Sequence, residues 1–295
     1  MAERAGSRIT SPGAAFSTGS PAYDLNARQF AQVRSLAYEQ FGLDLRQGKE
    51  GLVAARLGKK VREGRFRSFD EYFSHVLADP TGLALVEMID ALTTNHTSFL
   101  RERAHFDLLE NEIVPWLAAR GTIEIWSAAC STGEEPYSVM FCVLNKLAAK
   151  PVAVQLLATD ISTRVLATAQ KGMYPAARVA GLPPAWVRAF LLNGQGEWRG
   201  WYQVKPEVRN RIEFRRLNLI EPFPFVKRFH VIFCRNVMIY FDRATQEGLV
   251  NRLAERLEPG GYLLIGHSES LTGIQHPLQY LAPAVYRKAA IGGRR

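Results

Sequence analysis

The chain has 295 residues, a formal net charge of +9 and 47% hydrophobic residues, enough to fill the core of one large domain or two modest ones. Cys130, Cys142 and Cys234 are odd in number and far apart, so neither a disulfide framework nor a zinc site is indicated. No apolar run is long enough to span a bilayer, and the expected setting is a reducing cytoplasm.

Residues 1–22 are small and polar, with Arg4 and Arg8 but no apolar core of a signal peptide, and read as a disordered tail. Helical spacing begins at Asn26–Phe41, with Phe30, Val33, Leu36, Ala37 and Phe41 on one face. It returns in 49–61 through Leu52, Val53, Leu57 and Val61, then after a Ser68 cap through Phe69, Tyr72, Phe73, Val76 and Leu77. A fourth helix fits Gly82–Leu92, so residues 23–92 form an all-helical domain. From Arg28 to Phe69 ten basic residues stand against four acidic ones, a net of +6. Two readings fit that charge: a solvated helical surface, or a docking face for an acidic partner, protein or nucleic acid. Few aromatics interleave with it, which weakens single-strand binding.

Near Phe106 the rhythm changes. Short β-rich runs (Thr122–Trp126, Val154–Ala158, Ile212–Arg216, His230–Phe233, Tyr262–Ile265 and Val285–Lys288) alternate with helices at Glu134–Ala149, Thr163–Gly172 and Arg243–Leu257. The alternation predicts a parallel-type sheet covered on both faces, an α/β doubly wound fold. It puts Cys130, Asp160, Asn218, Arg235 and His267 just past strand ends, on one rim. Residues 187–209 break the pattern with a Gly-rich stretch around Gly194, Gly196 and Gly200, read as an inserted antiparallel hairpin or as a connecting loop with a buried Trp.

Four segments carry the chemistry. Ile125 to Ser138 is a strand, a turn of small residues and a helix start, where such folds grip a nucleotide-like ligand. The glycine signature for phosphate is missing, and acids at the helix start suit a cationic group better. Thr132 and Glu135 have capping-box spacing. That leaves Glu134 either to face the pocket and hold an ammonium group or to be a solvated acid. Asp160 ends the second core strand, placed for two ribose hydroxyls or for a helix cap. Thr93 to Glu102 is a polar junction in which Arg101 offers a carboxylate-binding fork. Cys234 to Asp242 puts Arg235 and Asn236 at the rim with Tyr240 one turn on, and Asn218 could read a base edge. Gly266-His267-Ser268-Glu269-Ser270 faintly suggests a nucleophile elbow, but it ends in Ser and lacks a triad order.

Together these segments resemble the chemotaxis-receptor protein-glutamate O-methyltransferase family over about residues 28–288. The resemblance implies a Rossmann-like S-adenosylmethionine-dependent methyltransferase domain (93–291), preceded by a helical receptor-docking domain and carrying a small inserted β-subdomain. It implies that Asn95, Thr97, Arg101, Glu134, Asp160, Asn218, Leu219, Arg235 and Asn236 hold S-adenosylmethionine, later S-adenosylhomocysteine, with no metal. Arg101 would orient the acceptor carboxylate, with Tyr240 nearby. The partners implied are methyl-accepting chemotaxis receptors, bound through an acidic cytoplasmic coiled coil and, in some relatives, a C-terminal tether peptide. No nucleic acid, no membrane insertion and a monomer are expected. Ala129 stands where the family usually has Gly and is expected to take ordinary backbone angles; Leu100 replaces a more usual Phe. The rival readings are a methyltransferase of nucleic acid or of a small molecule, and a non-catalytic cofactor-binding regulator.

Overall fold

The computed structural model describes residues 25–93, 96–147, 150 and 152–290. The expected tail and Asn95 lie outside them.

Four helices open the chain: α1 (Ala27–Phe41), α2 (Glu50–Glu63), α3 (Phe69–Ala78) and α4 (Leu83–Leu92). Asn26 starts α1 with a capping box, its side chain accepting from Gln29 N at 2.9 Å while Gln29 Oε1 accepts from Asn26 N at 3.0 Å. Ser68 caps α3 by accepting from Glu71 N at 3.2 Å. Most of the apolar stripe residues read from sequence meet in one cluster around Val33, Leu57, Val61, Phe73 and Met88, but Leu52 and Leu77 stay exposed. Among the described residues no helix is long and apolar enough to cross a membrane.

A polar segment ending at Glu102 leads into α5 (Arg103–Leu108), a π-helical turn (Leu109–Ile113) and α6 (Val114–Ala118). The rest alternates: β1 (Thr122–Ala128), α7 (Glu134–Leu147), β2 (Ala153–Asp160), α8 (Thr163–Lys171), β3 (Met173–Pro175), α9 (Ala176–Val179), α10 (Pro184–Phe190), β4 (Leu191–Asn193), β5 (Trp201–Val204), α11 (Pro206–Arg209), β6 (Ile212–Arg216), β7 (Phe229–Cys234), α12 (Arg243–Glu255), β8 (Leu257–Ile265), β9 (Leu278–Ala282) and β10 (Val285–Lys288).

The large sheet has the order β6-β2-β1-β7-β8-β10-β9. Its first five strands are parallel, while β10 and β9 pair antiparallel. The sheet is therefore mixed, not uniformly parallel. The loop expected before the last strand contains β9, whose flanking Pro277 and Pro283 disguise it in sequence. Alternate residues feed two cores, as a sheet buried on both faces requires. Ile123, Ile125, Val231 and Phe233 pack on one side, and Trp126, Ala128, Ile232 and Cys234 on the other. The inserted hairpin forms as β4 and β5, and a third strand, β3, joins it from upstream of the expected insertion. Strand order reverses at β1, between β2 and β7, so the chain leaves β1 and β7 in opposite directions and opens a crevice at their carboxyl ends.

Candidate active site

The turn after β1 is built for close approach. Cys130 N donates to Thr159 O at 2.8 Å, and Ser131 N donates to the Asp160 carboxylate at 2.8 Å, tying the turn to the end of β2. Gly133 has φ +98°, and a Cβ there would stand 2.8 Å from both Ala169 Cβ and the Tyr174 hydroxyl. Ala129 has φ 69° and Ser131 φ 49°, both left-handed. The expectation of ordinary angles at Ala129 is thus corrected: the turn needs a left-handed residue, and Ala129 meets the need at a steric cost.

The two acids at the start of α7 diverge, because consecutive helical residues point about 100° apart. Glu134 is 1% exposed; its carboxylate accepts from Thr132 Oγ1 at 2.6 Å and from Arg178 Nη1 at 2.6 Å. Arg178, on α9, also donates to Thr97 O at 3.1 Å. Glu135, assigned to a capping box from sequence, instead accepts from Ser127 Oγ at 2.7 Å and Arg235 Nη1 at 2.9 Å. Glu135, not Glu134, lines the central cleft. Burial pushes the Glu135 carboxyl upward, opposed by Arg235 and the Ser127 hydroxyl.

Arg235 anchors the loop after β7 to its neighbours. Its side chain is 1% exposed and reaches Glu135, Glu102 Oε2 at 2.9 Å and the carbonyl of Arg101. Asn236 takes φ 59° and donates from Nδ2 to Glu102 Oε1 at 3.2 Å. Glu269 then gathers the loop after β7, accepting from the backbone N–H groups of Asn236, Met238, Ile239 and Gly266. A Cβ on Gly266 would fall 2.4 Å from Asn236 Nδ2. The stretch dismissed as a false nucleophile elbow is therefore the brace of the rim loop that carries Asn236 and Tyr240. Glu102, His105 and His267 also gather, with ligand-type atoms within 4.8 Å, but the Glu102 carboxylate is held by Arg235. His105 is driven down to about 4, first by burial and then by the Arg235 charge, so it is neutral at pH 7.

The helical domain closes the crevice from above. Asn218 Nδ2 donates to Gln40 O at 2.8 Å, Asp44 N donates to Tyr240 O at 2.8 Å, and Tyr38 donates to Asp242 at 2.7 Å. Phe41, Leu43, Ile89 and Asp90 of this domain line the same cleft as Asp160 and Asn236. Of the residues named from sequence, Thr97, Arg101, Asp160, Asn218, Leu219, Arg235, Asn236 and Tyr240 all line it; Glu134 does not. Arg101 is set by donating to His96 O at 2.7 Å. Glu135, Asp90 and Ile161 line it unannounced, although an Asp in the apolar run Met88 to Leu92 was a legible signal for the second. Burial is the main force pushing the Asp160 carboxyl up to about 6, against the amides of Ser162 and Ser131. Ile161, Leu217 and Val237 give the cleft apolar walls for a planar base, and Asp160 gives acceptors for a diol, so the residues present fit a nucleoside-bearing cofactor.

This is the architecture of a doubly wound α/β enzyme whose ligand lies across the point where strand order reverses. Two family models cover it: "CheR methyltransferase, all-alpha domain" over residues 28–93 and "CheR methyltransferase, SAM binding domain" over residues 95–286. The chain belongs to the CheR methyltransferase family and is an S-adenosylmethionine-dependent methyltransferase. It is similar to the chemotaxis protein methyltransferase of Borreliella burgdorferi, 39% identical over 269 residues covering 88% of this chain and 94% of that one. It also resembles chemotaxis protein methyltransferase 2 of Pseudomonas aeruginosa, 39% identical over 272 residues, 92% of this chain and 96% of that one. The chemotaxis protein methyltransferase of Salmonella typhimurium is 35% identical over 263 residues, 89% of this chain and 90% of the relative.

Proposed function

We propose that this methyltransferase esterifies the side-chain carboxylate of specific glutamates in methyl-accepting chemotaxis receptors, giving glutamate methyl esters for sensory adaptation. The observation that carries the reading is the single cleft holding Arg101, Arg235 and Asp160, roofed by a basic helical domain. S-adenosylmethionine supplies an electrophilic methyl group on a sulfonium. A free glutamate has a pKa of about 4.3, so the acceptor is already a nucleophile at pH 7 and no general base is required. The protein's work is alignment and exclusion of water.

In this reading Asp160 accepts the ribose hydroxyls, and Asn218 and Leu219 flank the base. Thr97 and Asn236 close on the cofactor, and Glu135 takes the ammonium-facing role that the family resemblance implied for Glu134. Arg101 orients the acceptor carboxylate through its fork of donors, with Tyr240 at the same mouth. Residues 23–92 dock the receptor: Lys59, Arg62, Arg65 and Arg67 are exposed on or just past α2, suited to an acidic coiled coil. The inserted subdomain, with the short edge strand β4 and exposed Leu192, fits a tether peptide added as a strand.

The test is transfer of labelled methyl to receptor fragments carrying Glu or Gln at the methylation sites. Base-labile label on the Glu form alone is the expected result. Cofactor binding without transfer to either form would overturn the acceptor assignment.

A further inference from the structure

We propose that Asp90, on the helical domain, accepts a hydrogen bond from the nucleoside half of the cofactor through Oδ1. This rests on reading the cleft as the cofactor site.

Asp90 is a carboxylate in an apolar helix turn, between buried Ile89 and Leu92, and its side chain is only 6% exposed. Burying a carboxylate is costly unless its oxygens are satisfied. Oδ2 is satisfied: it accepts from Ser162 Oγ and, at 3.4 Å, from Arg164 Nη2. Among the described residues both hydrogen bonds to the Asp90 carboxylate fall on Oδ2 and none reaches Oδ1, and Asp90 lines the cleft. The oxygen left without a protein partner therefore belongs to a residue of the cleft wall.

Its neighbours say which part of the ligand meets it. Ser162 N donates to Asp160 Oδ1 at 3.0 Å while Ser162 Oγ donates to Asp90, so one residue joins the two carboxylates. Asp90's charge adds to the burial that raises Asp160. A second anion on that wall is unfavourable to the empty cleft and favourable once hydrogen-bond donors enter it. The nucleoside half brings three such sources, the two ribose hydroxyls and the exocyclic amine of the base. An ionised carboxylate only accepts, so the missing partner must be a donor.

The experiment measures affinity by calorimetry for S-adenosylhomocysteine and for its 2′-deoxy, 3′-deoxy and inosine analogues. Wild-type protein, Asp90→Ala, Asp90→Asn and Ser162→Ala are compared. A hydrogen bond to a charged group corresponds to roughly tenfold or more in affinity. Asp90→Ala is therefore expected to weaken S-adenosylhomocysteine binding by about that factor and to abolish the wild-type penalty for one analogue, which identifies the donor. Asp90→Asn, which keeps the shape, should shrink the same penalty. Ser162→Ala keeps Oδ1 and should keep the penalty, which separates recognition from packing of the domain junction. Full retention of every analogue penalty in Asp90→Ala overturns the proposal while leaving the cofactor site standing. Failure of the wild type to bind S-adenosylhomocysteine would overturn the site reading and this inference with it.

Discussion

Arg235 Nη1 and Glu135 Oε2 stand 2.9 Å apart, with the guanidinium almost fully withdrawn from solvent. The same guanidinium also holds Glu102, so one buried cation joins the first turn of α7, the loop after β7 and the strained turn before α5. Leu100 (φ 55°) and Glu102 (φ 58°) flank Arg101 in that turn, and the contact with Arg235 helps to hold it.

Removing Arg235 strands two carboxylates in a poorly solvated site. Arg235→Ala is expected to lower unfolding free energy by about 3–5 kcal/mol, read from urea denaturation. Arg235→Lys should recover only part of this, because one ammonium group cannot span Glu135, Glu102 and the Arg101 carbonyl together. Full recovery by lysine would mean that charge alone matters and the fork does not.

Ala129 pays for its left-handed backbone in every folded molecule. Replacing it by Gly removes a steric cost of roughly 1–2 kcal/mol, partly offset by glycine's greater freedom when unfolded, about 0.5–1 kcal/mol. Ala129→Gly should therefore raise the denaturation midpoint slightly, with a net gain of up to about 1.5 kcal/mol. A clear fall would contradict a left-handed turn at this position.

Cofactor affinity should depend on pH through Asp160. Its carboxyl is raised to about 6 in the unliganded fold, and an ionised carboxylate is the better acceptor for a diol. Below about pH 6 binding must first release a proton, so affinity should fall, approaching tenfold per pH unit, and level off above about pH 7. The same shift acts on stability with the opposite sign. A raised carboxyl pKa favours the folded state in acid, and that contribution disappears as pH rises through about 6. Calorimetry with S-adenosylhomocysteine from pH 5 to 8 checks the first trend; a flat profile that Asp160→Asn leaves unchanged would remove the charge from the argument.

Arg101→Ala and Asp160→Ala should fail differently. The first is expected to lower kcat far more than cofactor affinity, since Arg101 is proposed to orient the acceptor; equal losses would count against that role. The second is expected to weaken cofactor binding, and unchanged affinity would sink the ribose assignment.

Glu269→Gln tests the brace behind the rim. Four backbone N–H groups converge on this carboxylate, and an amide offers them one oxygen in place of two. Stability should drop by about 1–3 kcal/mol and turnover should fall as Asn236 and Tyr240 lose their setting. Normal turnover at normal stability would show the loop to be held by other contacts.

Much of this was readable from the chain. The change from 3.6-residue to strand spacing near Phe106 marks where helices give way to the sheet, and Asp160, Asn218 and Arg235 fall at strand ends on one rim. What escaped is what depends on orientation at a scale finer than the element. Glu134 and Glu135 are chemically identical in sequence, and only the azimuth of α7 decides which one meets Arg178 and which meets Arg235. Ala129's backbone angle is invisible because nothing about alanine announces a left-handed residue. β9 was missed because two prolines bracket five residues whose burial alternates poorly. Glu269 was missed because its partners are amides, which carry no sequence signal.

The cleft walls come from both halves of the chain, with Phe41, Leu43 and Ile89 on one side and Asp160, Asn236 and Val237 on the other. Such a division of labour constrains evolution. On the proposed function, the helical half cannot be exchanged as a cassette for one suited to a different receptor without also rewriting part of the cleft that would hold the cofactor. On that reading, changes of receptor preference are expected to accumulate on the outer, basic face around Lys59 and Arg62, while the inner face stays fixed by the cleft it helps to line.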